Sequence, residues 1–178
     1  MSQNNLNRGS VRDASRKRVI VTLTGGGFLW EALSLANGLG DDIEYHFVTV
    51  PDAKGKLKVI DLPKGEVHII EKITTMRSSS FLKKLGNALV SFMGAYRVMR
   101  KVKPHAVVCV GTSIAVPLCF WAKAFGAKSI FVESITRVTK PSVTGRILGS
   151  LRLCDRLYVQ WPEATGLYRG AEYRGTVL

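Results

Sequence analysis

The chain has 178 residues, 46% of them hydrophobic, and a formal net charge of +13 from 26 Lys and Arg against 13 Asp and Glu. This composition excludes an intrinsically disordered protein and suffices for one domain with a substantial core. The positive charge indicates partners that carry negative charge, such as phosphates, nucleic acid or an anionic membrane surface. Three cysteines, Cys109, Cys119 and Cys154, lie in apolar segments without metal-ligand spacing. The sequence therefore predicts a reducing compartment, no disulfide framework and no metal site.

The chain begins with a polar segment and then with a strand that leads into a glycine loop. Residues 1–17 are polar and charged, which predicts a disordered tail before a single domain over residues 18–178. Arg18–Thr24 is rich in β-branched residues and predicts a strand, and Phe28–Leu39 predicts a helix. Between them, Gly25, Gly26 and Gly27 would allow backbone N–H groups to approach a phosphate, although a tight turn alone would also explain them.

Strand and helix patterns continue to alternate along the chain. We predict further strands over Ile43–Val50, Val67–Ile73, Ala106–Thr112, Lys128–Ser134, Arg156–Gln160 and Glu172–Leu178. We predict a charged loop over Pro51–Gly65, and helices over Ser78–Val102, over Ser113–Phe125 and within Thr139–Cys154. The uncharged run Ala106–Ala122 is shorter than the roughly 20 residues of a membrane span and contains a strand-to-helix turn. Together the patterns predict an α/β fold, a Rossmann-like doubly wound parallel sheet.

The segment Ser78–Val102 has two interpretations. Eight apolar side chains fall at helical spacing: Phe81, Leu85, Ala88, Leu89, Phe92, Met93, Tyr96 and Met99. Basic residues cluster at both ends of the segment: Lys83, Lys84, Arg97, Arg100, Lys101 and Lys103. The pattern favours a core helix with solvated flanks, and the alternative is an amphipathic helix that lies on an acidic lipid surface. Gly86 and Gly94 indicate a break or a close packing contact within it.

The segment Ser129–Val138 is the strongest candidate for a functional site. Its apolar strand ends at Glu133, and Arg137 follows one helical turn later. The carboxyl ends of strands are where open α/β sheets bind ligands, and a guanidinium suits phosphate or carboxylate. A surface ion pair between Glu133 and Arg137 is the alternative. His46 and His68 each lie within a predicted strand, where we expect satisfied or outward-facing side chains and no catalytic role.

Four sequence blocks resemble a known family. They are FVESITRV, SVTGRIL, CDRLYVQWPE and the terminal AEYRGTVL. In this order they are similar to the acceptor-side subunit of two-component glycosyltransferases, over roughly residues 18–178. The family includes the anchor subunit of the second N-acetylglucosaminyltransferase of the dolichol pathway and bacterial PssD-like polysaccharide proteins.

The resemblance implies a GT-B glycosyltransferase divided between two chains, of which this chain is the N-terminal, acceptor-binding half. The implied activity is transfer of a sugar from a UDP-sugar to a lipid-pyrophosphate-linked saccharide in glycan or exopolysaccharide synthesis. Activity would require a small partner subunit that binds the UDP-sugar. The expected location is peripheral, on the cytoplasmic face of an anionic membrane. No cofactor and no nucleic acid partner are expected, and the length of the chain fits one Rossmann domain.

The resemblance also implies roles for particular residues. Glu133 and Arg137 correspond to the hallmark pair, with Glu133 as candidate general base. Further expected sites form two sets: Gly25, Gly26, Gly27, Thr112, Ser113 and Lys140 at the acceptor or its phosphates, and Gln160, Trp161, Pro162 and Glu163 at the partner interface.

The sequence departs from the family pattern in two places. Phe28 follows the glycines where relatives usually have histidine, which removes one candidate base. The N-terminal membrane helix of the eukaryotic members has no counterpart, so we expect membrane contact through the helix around Phe81–Val102.

Three other functions remain open. One is a non-catalytic membrane scaffold that recruits the catalytic subunit. A nicotinamide-dependent oxidoreductase is disfavoured because the glycines do not follow the G-x-G-x-x-G pattern. Nucleic acid binding is disfavoured because aromatic residues are not interleaved with basic ones.

Overall fold

The structure, a computed structural model, describes residues 16–57, 62–72 and 81–178, except for the side chains of residue 56 and residues 81–84. The strands are β1 (Lys17–Leu23), β2 (Ile43–Thr49), β3 (Gly65–Ile69), β4 (Ala106–Val110), β5 (Lys128–Val132), β6 (Arg156–Val159) and β7 (Ala171–Tyr173). The helices are α1 (Gly27–Leu39), α2 (Pro51–Leu57), α3 (Phe81–Val102), α4 (Ala115–Phe125) and α5 (Val143–Ser150), with a 3₁₀ helix over Pro162–Leu167. The predicted tail lies outside the described residues, apart from Arg16 and Lys17.

The seven strands form one parallel sheet in the order β3-β2-β1-β4-β5-β6-β7. Two apolar cores lie on its opposite faces. One includes Leu29, Leu33 and Ala36 of α1, and the other includes residues of α3, α4 and α5. Helices on both faces of a parallel sheet confirm the predicted doubly wound fold. The strand order reverses between β1 and β4, and in such sheets the crevice at that point binds ligands.

The first part of the predicted loop Pro51–Gly65 is instead a helix, and residues 58–61 lie outside the described residues. Pro51 begins α2, Asp52 lies in its first turn, and Ala53 and Leu57 are buried four positions apart. Proline suits the first helical position and an acidic residue stabilises the first turn, so two buried side chains were enough to order a charged segment. Strand β3 also begins earlier than predicted, at Gly65, where an added Cβ would lie 2.5 Å from the carbonyl oxygen of Tyr45.

Helix α3 is continuous through both of its glycines. Gly94 faces Ile70, and an added Cβ would lie 3.2 Å from its Cγ2 atom, which confirms close packing there rather than a break. The core-helix interpretation holds for the C-terminal half of α3, where Ala95, Val98, Met99 and Val102 are buried. It is wrong for Leu85, Leu89 and Met93, which are exposed. These three exposed side chains bear on membrane contact.

Candidate functional site

The candidate site lies at the carboxyl edge, the side of the sheet where the parallel strands end. Gly26 has φ +81° between β1 and α1, and Gly111 has φ +55° after β4, so both turns use a backbone conformation that favours glycine. The Phe28 ring covers Gly111, where an added Cβ would lie 2.5 Å from Phe28 Cδ1. Phe28 therefore joins the two turns by packing, at the position where the resemblance expects histidine.

The predicted glycine loop and the turn after β4 meet at the reversal of strand order. Thr112 is buried and Ser113 is half-buried, and their carbonyl groups accept hydrogen bonds from the first turn of α4. Thr24, at the end of β1, is also buried, and its Oγ1 atom has no hydrogen-bond partner among the described residues. Gly25, Gly26, Gly27, Thr112 and Ser113 thus share one edge of the sheet, and their binding of an acceptor stays a prediction.

Glu133 follows β5 and is only 1% exposed. Its Oε1 atom accepts a hydrogen bond from the Ser134 backbone N–H at 3.0 Å, and its Oε2 atom accepts bonds from the Tyr168 hydroxyl at 2.7 Å and from the Ser142 hydroxyl. Both carboxylate oxygens are therefore already bonded within the chain. This geometry favours a role for Glu133 in positioning the loop that follows it, and its role as general base stays a prediction.

The loop after Glu133 is tied to α5 through the same carboxylate. The Ser142 hydroxyl accepts a hydrogen bond from the Gly145 N–H at 2.9 Å and so caps α5. Gly145 lies against the carboxylate, because an added Cβ would be 2.7 Å from Glu133 Oε2 and 2.5 Å from Tyr168 Cε1. Burial, followed by the hydrogen bond to Glu133, raises the pKa of Tyr168 to about 12, so its hydroxyl keeps the proton that it donates.

Glu31 is a second buried carboxylate, which the sequence analysis did not identify. It is 1% exposed on α1 and accepts hydrogen bonds from the Ser134 hydroxyl at 2.9 Å, the Ile135 N–H at 3.1 Å and Gln160 Nε2 at 2.6 Å. A charged residue between the apolar positions Leu29 and Ala32 was the available signal in the sequence. Glu31 thus fixes the loop after β5 against α1.

Gln160 completes this arrangement of buried polar side chains. It is 2% exposed in the chain by itself, donates to the Glu133 carbonyl at 3.0 Å and accepts from the Val177 N–H at 3.0 Å. Its side chain therefore makes contacts within the chain, and its place at a partner interface stays a prediction. We call Glu31, Glu133, Ser134, Ser142, Gln160 and Tyr168 the buried carboxylate cluster.

The three residues after Gln160 have different surroundings. Trp161, Pro162 and Glu163 are exposed, and Trp161 Nε1 also donates to the Ile135 carbonyl at 2.6 Å. These side chains form a surface beside the loop after β5, and their contact with a partner stays a prediction.

Arg137 and Lys140 lie on the loop that the buried carboxylate cluster holds. The Arg137 backbone N–H donates to the Ser134 carbonyl at 2.9 Å, which closes a turn. Both side chains are exposed, and within the described part of the chain neither forms an ion pair or a side-chain hydrogen bond. The predicted ion pair between Glu133 and Arg137 is therefore not formed. Two unpaired cations on a fixed loop are suited to bind an anionic group such as a phosphate.

The outward side of α3 combines apolar and basic residues. Leu85, Leu89, Val90 and Met93 are exposed, and they are followed on the same side by exposed Arg97 and Arg100. We call these six residues the α3 outer face. Phe120 of α4 extends the apolar area, since it is 41% exposed and its ring centroid lies 5.5 Å from that of Phe92. No helix among the described residues is long and apolar enough to span a membrane.

Solved structures share the fold of this chain. The chain superposes on MurG from Acinetobacter baumannii with a TM-score of 0.66 at 20% identity, over 90% of this chain and 45% of MurG. It also matches the UDP-GlcNAc 2-epimerase of Neisseria meningitidis, which was crystallised with UDP-GlcNAc, with a TM-score of 0.60 at 12% identity, over 90% of this chain and 47% of the epimerase. The fold is the Rossmann-like domain of GT-B glycosyltransferases, as the sequence predicted.

Sequence comparison identifies the family within that class. The model of the family "Oligosaccharide biosynthesis protein Alg14 like" matches residues 19–177, and the chain belongs to this family. Relatives named UDP-N-acetylglucosamine transferase subunit ALG14 include those of Yarrowia lipolytica (34% identity, 71% of this chain and 63% of the relative) and Homo sapiens (26% identity, 90% of this chain and 82% of the relative). These matches confirm the predicted resemblance to the dolichol-pathway subunits. Similarity to bacterial PssD-like proteins stays a prediction.

Proposed function

We propose that this chain is the acceptor-binding subunit of a two-component glycosyltransferase, which transfers a sugar from a UDP-sugar to a lipid-pyrophosphate-linked saccharide. The observation that carries the proposal is a pair of exposed cations, Arg137 and Lys140, which have no ion-pair partner among the described residues and lie on a loop fixed at the carboxyl edge. The relatives' names support a glycosyltransferase subunit, and UDP-GlcNAc occurs in the names of both the relatives and the superposed epimerase. A partner subunit would supply the UDP-sugar.

In this proposal Arg137 binds the acceptor pyrophosphate, with Lys140 as a second contact. A guanidinium engages two phosphate oxygens at once, and the burial of Glu133 and Glu31 beneath the loop holds its backbone in place. Gly25, Gly26 and Gly27 contribute backbone N–H groups at the start of α1, where the helix dipole favours negative charge. Trp161, Pro162 and Glu163 lie beside this loop and contact the partner subunit.

A membrane contact through the α3 outer face would bring this site to its lipid-linked acceptor. The exposed Leu89, Val90 and Met93 would enter the boundary between headgroups and acyl chains, while Arg97 and Arg100 would bind anionic headgroups. The net positive charge of the chain supports contact with an anionic membrane surface. We therefore propose a peripheral location on the cytoplasmic face of a membrane.

The test uses the chain together with a candidate partner subunit, and measures UDP release with a lipid-linked acceptor. We expect Arg137→Ala to lose nearly all activity and Arg137→Lys to lose much of it, because lysine keeps the charge but not the bidentate fork. The melting temperature should stay unchanged, since the guanidinium forms no ion pair or hydrogen bond with the described residues. Arg152→Ala is the matched control: it removes the same charge from an exposed arginine beside the amino end of β6, and activity should be retained.

Two results would contradict the proposal. Normal acceptor affinity in Arg137→Ala would exclude the phosphate role, and turnover by the chain alone would exclude the need for a partner.

A non-catalytic scaffold is the second candidate function, favoured by the burial of both carboxylates in the cluster. A scaffold would keep turnover and acceptor affinity in an Arg137→Ala, Lys140→Ala double variant, but would lose both when the partner is released from the membrane.

A further inference from the structure

Two histidines and a glutamate meet on neighbouring strands at the β3 end of the sheet. His46 on β2 and Glu66 on β3 are paired in the parallel register, and His68 lies two residues beyond Glu66, so all three side chains project from the same face. His46 and His68 are buried, whereas Glu66 is half exposed. We call these three residues the histidine cluster.

The spacing of the cluster matches a tetrahedral metal site. His46 Nδ1 and His68 Nε2 are 3.3 Å apart, and Glu66 Oε2 lies 3.8 Å from each of them. Two nitrogen ligands at about 2.0–2.1 Å from a tetrahedral Zn²⁺ lie about 3.3–3.4 Å from each other. The two histidine nitrogens are therefore already as far apart as two ligands of one Zn²⁺ ion. A small rotation of the half-exposed Glu66 side chain would bring its Oε2 atom equally close to both nitrogens.

A second carboxylate orients one of the histidines. His46 Nε2 lies 3.0 Å from Glu44 Oε1, so the Nε2–H donates to the carboxylate and Nδ1 is left with its lone pair directed at His68. Metal-bound histidines characteristically donate their other ring N–H to a carboxylate, which fixes the tautomer. Lys101 pairs with Glu66 Oε1, which leaves Oε2 on the side of the two imidazoles.

The side chains of the histidine cluster also supply ligand atoms of a suitable chemical type. Two imidazole nitrogens and one carboxylate oxygen are a ligand set that suits Zn²⁺.

We propose that His46, Glu66 and His68 bind a Zn²⁺ ion, with Glu44 as the group that orients His46 and with a water molecule in the fourth position. This assignment departs from the expectation of no metal site, which rested on the spacing of the cysteines and on the place of each histidine within its own predicted strand. The ion would join the edge strand β3 to β2, within the strands and at the end of the sheet remote from β5. The proposal therefore does not rest on the proposed function.

The experiment measures metal binding by the full chain after treatment with a chelator. Zn²⁺ affinity is obtained by competition with a chromophoric chelator, and Co²⁺ serves as a spectroscopic probe of tetrahedral coordination. We expect one equivalent of Zn²⁺, a tetrahedral Co²⁺ spectrum and a higher melting temperature with Zn²⁺. His68→Ala should abolish all three effects, and Glu44→Gln should weaken binding by about 10- to 100-fold.

Glu66→Gln keeps the experiment decisive if His68→Ala does not fold, because Glu66 is half exposed and its replacement leaves both imidazoles in place. We expect Glu66→Gln to weaken Zn²⁺ binding at least about tenfold. His105→Ala and Cys154→Ser are the controls, since they alter the third histidine and the most exposed thiol, and neither should change the affinity. Two results would overturn the proposal. The parent chain would bind no Zn²⁺, or binding would survive Glu66→Gln but be lost in Cys154→Ser. His46 and His68 would then be two packed side chains without a metal.

Discussion

The buried carboxylate cluster and the α3 outer face are opposite exceptions to the rule that apolar groups lie inside and charged groups outside. Glu31 and Glu133 are each 1% exposed, while Leu89 is 65% exposed and Met93 is 53% exposed. The buried charges are satisfied by hydrogen bonds within the chain, as burial of a carboxylate requires. The exposed apolar side chains have no such partner in the described residues. The first region is therefore complete by itself, whereas the second is suited to an external surface.

Removal of Glu133 should have the largest effect on stability and would show how far the fold depends on the cluster. Glu133→Ala leaves the Tyr168 hydroxyl, the Ser142 hydroxyl and the Ser134 N–H without their acceptor, so we expect a loss of about 3 kcal/mol in the free energy of unfolding. Urea denaturation measures it. Glu163→Ala removes an exposed carboxylate from the same edge and should change stability by less than about 0.5 kcal/mol. Equal stability of the two variants would show that the fold does not depend on the buried carboxylate cluster.

Polar substitutions on the α3 outer face should lower membrane affinity without lowering stability. Each basic charge near an anionic surface contributes about 1 kcal/mol, so Arg97→Gln with Arg100→Gln should weaken vesicle binding by about thirtyfold. Leu89→Ser with Met93→Ser should weaken it similarly, because both side chains would bury apolar area in the bilayer. Binding is measured by co-sedimentation with anionic vesicles at increasing salt, which screens the attraction.

The matched control for this surface is Leu39→Ser with Leu151→Ser, which alters exposed apolar side chains outside α3 and should leave vesicle binding intact. If both α3 double variants co-sediment with vesicles as well as the parent chain does, the exposed apolar residues serve another purpose than membrane contact.

Tyr168→Phe is the smallest of these changes and tests the cluster by pH. It removes one donor to Glu133 and the acceptor of the Ser142 N–H, so we expect a loss of about 1–2 kcal/mol at neutral pH. Since burial and the Glu133 hydrogen bond raise the pKa of Tyr168 to about 12 from a reference value of 10.0, the unfolded chain loses this proton at lower pH than the folded chain. The stabilisation is therefore complete below pH 10 and is lost as the pH rises towards 12.

Urea denaturation between pH 8 and pH 12 measures the free energy of unfolding of the parent chain and of Tyr168→Phe. The difference between these two free energies should decrease above about pH 10. A gap that is constant over the whole range would mean that the tyrosine proton is not part of the cluster.

Local sequence patterns predicted the parallel doubly wound sheet and most of its helices. Strand β1 and helices α1 and α4 lie within one or two residues of their predicted bounds, because their apolar residues repeat at the period of a strand or a helix and their ends are marked by glycine. It also placed Glu133 and Arg137 at the carboxyl edge, since a buried strand that ends in charged residues implies that position. The helix α2 was missed because only Ala53 and Leu57 anchor it, too few residues to form a period.

The contacts of the charged and polar residues became known only from the tertiary structure. Glu31 meets Ser134 across 103 residues of sequence and Gln160 across 129, so no local pattern could predict that they hold the loop after β5. The same applies to His46 and His68, which are 22 residues apart and meet because β2 and β3 pair in one particular register. Local periodicity decides which segments are strands or helices, but the contacts between polar side chains depend on the order and register of the strands.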